Sequence, residues 1–195
     1  MAEAAESAVE AKEAKEKDRT VALIIAILAL LLALSEAGAR RAQHLSTEKN
    51  IEASDLFNFY QAKKIRSTIV ETASQTLEAQ KGALDPQSQA AVDDQIRDFK
   101  AAAARFDKDP KKPEDSLDAL QERANAAVEA RELANRRLEH FELGSGLAQI
   151  AIVLASAAII TGIGALVWLS VGLGAVGAVL MAFGFFAPTA LGLQL

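Results

Sequence analysis

Two histidines, His44 and His140, are the only side chains in the 195-residue sequence whose ordinary pKa suits proton transfer near neutral pH or ligation as a neutral imidazole. Glu36, Glu139 and Glu142 lie near them in the chain, and a mixed imidazole–carboxylate set is what a divalent metal takes. His44 falls five residues beyond Ala39 and His140 seven before Leu147, which places both at a similar height above the ends of two apolar runs. They have no i, i+4 relation, so the metal signal is weak. Amphipathic histidines at a membrane boundary are the plainer reading, and no metal or other cofactor is expected.

Other chemistry is missing from the sequence. With no cysteine there are no disulfides, thiolate nucleophiles or Cys-based metal sites. No glycine-rich phosphate loop follows a strand, and neither an HExxH helix nor a nucleophile elbow occurs. A formal net charge of −5 offers no basic face for nucleic acid. No enzyme is expected. What remains is a polar set, Asn50, Ser54, Asp55, Tyr60, Gln61 and Lys63, on a helix that also carries Leu56, Phe57 and Phe59. It reads as a helix–helix interface held by side-chain hydrogen bonds, with a docking surface for another protein as the alternative.

The elements that position these residues follow from the hydropathy pattern. Residues 1–19 form an acidic tail of Ala, Glu and Lys, helical or disordered. Residues 20–39 carry a single charge, Glu36, and are long enough for a helix to cross a hydrocarbon core of ~30 Å. Residues 40–145 are polar and helical, and after Glu142 no charged residue or histidine follows. Two further spans are expected at 147–163 and 167–186, turning near Gly162–Gly164 with Trp168 at the interface, before a short tail at 187–195. Ala37-Gly38-Ala39 resembles a signal-peptidase site, but the preceding tail is acidic rather than basic, so the first span is read as retained.

Each span carries small residues at helical spacing. Ala22, Ala26, Ala29 and Ala33 do so in the first, Ala151, Ala155, Ala158 and Gly162 in the second, and Gly174, Ala178 and Ala182 in the third. Close backbone approach through such residues is a main packing device in lipid, so the three stripes predict helix packing and a homo-oligomer. The phase of the first stripe continues through Glu36, Arg40, Gln43, Thr47, Asn50, Ser54, Phe57 and Gln61, a polar seam in which Glu36 and Arg40 form an i, i+4 pair. In the central region Ala62, Ile65, Ile69, Ala73 and Leu77 predict a core-facing stripe. Asp85-Pro86 signals a new helix carrying Val92, Ile96, Phe99, Ala103 and Phe106. After the charged, proline-containing loop 107–115, a third helix places Leu117, Leu120, Ala124, Ala127, Ala134, Leu138 and Phe141 in one seam. No alternating strand pattern occurs. The fold class expected is an all-α integral membrane protein with three transmembrane helices and a coiled-coil-like helical extramembrane domain.

The segment Lys49-Asn50-x-Glu52-Ala53-Ser54-Asp55, followed by Tyr60-Gln61-Ala62-Lys63-x-Ile65-Arg66, resembles a family of uncharacterised bacterial membrane proteins known only as a domain of unknown function. The resemblance extends over the chain and includes Gln149-Ile150-Ala151-Ile152 at the start of the second span. It implies the same order of tail, span, motif, helical region and two-span hairpin, and it implies no activity. Family members often carry basic residues in the last turn, which implies a cytoplasmic N-terminus and hence a periplasmic central domain; Ile163 to Ser170 has none. The function expected is a self-associating structural or scaffolding protein of the bacterial inner membrane. Its partners are copies of itself, the bilayer and, as a further option, another membrane protein. A pore, transport-accessory or sensor subunit built on the polar seam is the alternative.

Overall fold

The computed structural model of the chain describes residues 2–108 and 110–190. Met1, Asp109 and residues 191–195 lie outside the described residues, and with them most of the expected C-terminal tail. The described residues form four helices and no strand: α1 (Ala2–Lys81), α2 (Pro86–Asp107), α3 (Leu117–Thr161) and α4 (Gly164–Phe186), with a short 3₁₀ turn at Pro113–Asp115. Three of the helices, α1, α3 and α4, are long and apolar enough to cross a membrane. The chain divides into two compact units, one of Met1–Ser46 with Glu132–Leu195 and the other of Thr47–Arg131.

The first unit is built from the apolar parts of α1 and α3 together with α4. Val21, Leu28, Ser35 and Ala42, each seven residues apart, are the buried face of α1. Ala134, Phe141, Ala148, Ala151, Ala155 and Ala158 are buried along α3, and Ser170, Gly174, Gly177 and Gly184 along α4. Small residues on all three helices let the backbones meet. A Cβ on Gly144 would stand 3.1 Å from the carbonyl oxygen of Gly177, and one on Gly177 would stand 3.0 Å from that of Gly144. Ser35 completes the crossing from α1, its hydroxyl donating to the Phe141 carbonyl at 2.8 Å. The Phe141 ring then occupies space that a side chain on Gly38 or Gly184 would need, with 2.9 Å and 3.0 Å to a Cβ built at those positions. The α3–α4 turn closes on Gly162, whose φ of 70° is the left-handed conformation glycine adopts without strain. Its N–H donates to the Ala158 carbonyl at 3.0 Å.

The second unit packs residues 47–81 of α1, α2 and the start of α3. Leu56, Leu120 and Ala124 are the centre of its core, with half-buried Phe57 and Tyr60 against them. The seam read along α3 is its buried face: Leu117, Leu120, Ala124 and Ala127 are all below a tenth exposed. In α1 the buried face is not the one the apolar residues mark. Ile65 and Ile69 are 60% and 62% exposed, whereas Ser67 and Ser74 are buried. The small hydroxyl residues allow close approach of α2, and Ser67 donates to the Asp107 carboxylate at 3.2 Å. Asp85 caps α2, accepting from the N–H groups of Gln87 and Ser88 at 3.0 Å each, and Pro86 opens the first turn.

The glycine contacts separate two substitutions on one helix. Gly177→Leu forces a side chain into the Gly144 backbone and is expected to lower stability by about 1–3 kcal/mol or more. Gly172→Leu, on a site with nothing within 4 Å of its Cβ, is expected to be near neutral. Thermal unfolding of the two variants in one detergent checks the contrast; equal midpoints would contradict the close α3–α4 approach.

Candidate interaction surfaces

The two histidines occupy different environments. His44 is exposed on α1, while His140 is 1% exposed. His140 sits with Nδ1 2.6 Å from the Arg136 carbonyl one turn earlier, and its Nε2 is buried without a partner. The described residues contain no group of three or more His, Cys, Asp or Glu side chains placed to hold a metal. Similar height along two helices thus leaves one histidine exposed and the other buried, since sequence spacing does not specify which way each side chain faces.

The polar motif of α1 separates into inward and outward residues. Tyr60 is half-buried against the Leu56–Leu120–Ala124 core. Lys63 is half-buried as well, its ammonium donating to the Asp115 carbonyl. Asn50 accepts from Arg131 at 3.1 Å through its side-chain oxygen. Glu52 pairs with Lys49 at 2.6 Å. That hydrogen bond, and then the partner's opposite charge, hold the Glu52 carboxyl below its ordinary value and the Lys49 ammonium above its own. Ser54, Asp55 and Gln61 face outward. Asn50, Lys63 and Tyr60 thus join α1 to the α3 end of this unit, and the exposed residues remain as surface.

The small-residue stripes also divide. Ala151, Ala155 and Ala158 are buried inside the first unit, Gly174 lies against Leu28 of α1, and Gly162 makes the turn. Ala178 is half-buried and Ala182 exposed. Ala22, Ala26, Ala29 and Ala33 are all exposed, because α1 packs through Val21, Leu28 and Ser35 instead. Of the polar seam, Arg40, Gln43, Thr47, Asn50, Ser54 and Gln61 are exposed, and Glu36 and Phe57 are half-buried. Glu36 lies 3.8 Å from Arg40.

Sequence reasoning missed one feature. At the charged end of the three-helix packing, Arg41 and Arg137 line a cleft of about 310 Å³ whose apolar wall includes Leu45, Phe141 and Phe185. The signal was present as two arginines just outside apolar runs, but nothing in the spacing joins position 41 to position 137.

A model of the family described as "Domain of unknown function (DUF4337)" matches residues 17–187, and the chain belongs to that family. No curated protein and no solved structure matches it.

The Lys49–Glu52 pair carries a pH signature. Because the folded pKa of Glu52 is depressed, its contribution is present above the unfolded carboxylate value and is lost as the pH falls through the folded value. In Lys49→Ala the Glu52 side chain is expected to titrate closer to its ordinary value, followed by carboxyl NMR. An unchanged titration would show that the ion pair does not form.

Proposed function

We propose that this DUF4337 protein is a multi-pass protein of the bacterial inner membrane that acts as a self-associating scaffold, with α1, α3 and α4 as its spans. The three long apolar helices support insertion. Large apolar side chains cover their outer surfaces: Leu23, Ile27, Leu30, Val153, Ile160 and Trp168 are between 59% and 86% exposed. Such a surface is unfavourable in water and suited to lipid. The second unit is the extramembrane module, periplasmic on the family topology.

The observation that carries self-association is the alanine stripe of α1. Within the chain the helix packs by another face, which leaves Ala22, Ala26, Ala29 and Ala33 available for a neighbour. In lipid, burying leucine gives no hydrophobic gain, and small residues permit the close backbone contact that favours association. In the second unit α1 also leaves Ile51, Ile65 and Ile69 exposed, a surface whose burial against another copy removes apolar area from water. The pore alternative has less support: Glu36, the one charge within the apolar run of α1, is neighboured by Arg40 rather than standing free.

Single cysteines in the otherwise cysteine-free chain test the assignment in native membranes. Ala29→Cys and Ala33→Cys are expected to crosslink between subunits under mild oxidation, and Leu28→Cys, facing Gly174 inside the unit, to do so far less. Ala29→Leu is expected to weaken assembly while leaving insertion intact. Equal crosslinking from every face, or a monomer by mass photometry, would contradict self-association through this stripe.

A further inference from the structure

We infer that the cleft between Arg41 and Arg137 binds a phosphate-bearing anion, and that its source in the cell is the headgroup of an anionic phospholipid. The inference rests on the membrane reading proposed above and adds a ligand to it. The cleft lies wholly within the first unit, between the ends of the apolar runs of α1, α3 and α4, and holds about 310 Å³. No carboxylate lines it. Arg41 is exposed and Arg137 half-buried, and neither guanidinium has an ion pair or hydrogen bond among the described residues. The Nε of Arg137 is shielded from solvent and without a partner.

Arginines that line a cleft without a protein acceptor among the described residues leave guanidinium N–H donors for an external one. Arg40, one residue earlier, is placed beside Glu36 at 3.8 Å, whereas Arg41 and Arg137 face a common space. Both arginines line that one cleft, and a guanidinium fork matches the geometry of phosphate oxygens, which accept bidentate hydrogen bonds.

The walls of the cleft favour a lipid over a free ion. Leu45, Phe141 and Phe185 give it an apolar side. Phe185 is half exposed, Phe186 beside it is 88% exposed, and Phe185 is held edge-on to Phe141 with ring centroids 4.7 Å apart. A headgroup phosphate at the arginines would leave its acyl chains against this aromatic surface, at the depth where spans end. Basic pockets between membrane helices are the general form of headgroup sites. Gly184 permits the arrangement, since a Cβ there would meet the Phe141 ring at 3.0 Å and displace the wall.

The test uses the full-length protein in neutral detergent. Phosphatidylglycerol, phosphatidylcholine and inorganic phosphate are titrated in turn, and bound molecules are counted by native mass spectrometry. Phosphatidylglycerol is expected to bind about tenfold or more tightly than phosphatidylcholine, since both offer the phosphate but the choline ammonium of the latter is repelled by the two arginines. Arg41→Gln with Arg137→Gln is expected to abolish that preference, Arg137→Lys to keep part of it, and Arg40→Gln to leave it unchanged. Arginine-dependent binding of inorganic phosphate without lipid preference would support the anion site and assign it the soluble source. Equal binding of both lipids with no phosphate bound, or a double variant matching the parent, would overturn the inference. Carbonate extraction of cell membranes separates the two proposals. A chain that washes off contradicts the membrane reading, while a chain that stays embedded and shows no arginine-dependent binding contradicts only the anion site.

Discussion

The first unit depends on backbone contact between α3 and α4 at Gly144 and Gly177. Each glycine lacks the atom that would strike the other's carbonyl oxygen, and α1 joins through the Ser35 hydroxyl on the Phe141 carbonyl. On the membrane reading proposed above, the gain comes from dispersion over closely matched surfaces and from hydrogen bonds with no competing water. Both require short distances, so bulky residues belong outside the crossing. The burial pattern follows this rule: alanine, glycine and serine dominate the inside, while leucine, isoleucine and valine cover the outer surface. That is the inverse of a water-soluble bundle.

The second unit obeys the ordinary rule at its centre and departs from it at one end. Leu56, Leu120 and Ala124 form an apolar core, yet Ser67 and Ser74 are buried while Ile65 and Ile69 are exposed. A serine beside α2 costs little where its hydroxyl finds a carboxylate, as Ser67 does with Asp107. Exposed isoleucines on the same helix have no such compensation among the described residues, which leaves an apolar surface open to a partner.

These departures mark what the sequence could and could not show. The α3 seam was legible because Leu117, Leu120 and Ala124 are apolar, regularly spaced and buried. So was the break at Asp85-Pro86, whose capping chemistry is local. The α1 stripe through Ile65 and Ile69 misled, since apolar periodicity gives a face and not its destination. For the same reason the alanines of α1 and those of α3 read alike, although one set is exposed and the other buried. The cleft of Arg41 and Arg137 was illegible because it joins residues far apart in the chain through a packing that only the fold specifies.

Solid-state NMR of glycine-labelled protein in lipid bilayers measures the controlling contact directly. The close approach of Gly144 and Gly177 predicts a cross-peak between their Cα carbons at short mixing times, and none between Gly144 and Gly172, whose surroundings are open. A spectrum without the Gly144–Gly177 peak, while other interhelical peaks are present, would contradict the glycine-centred packing.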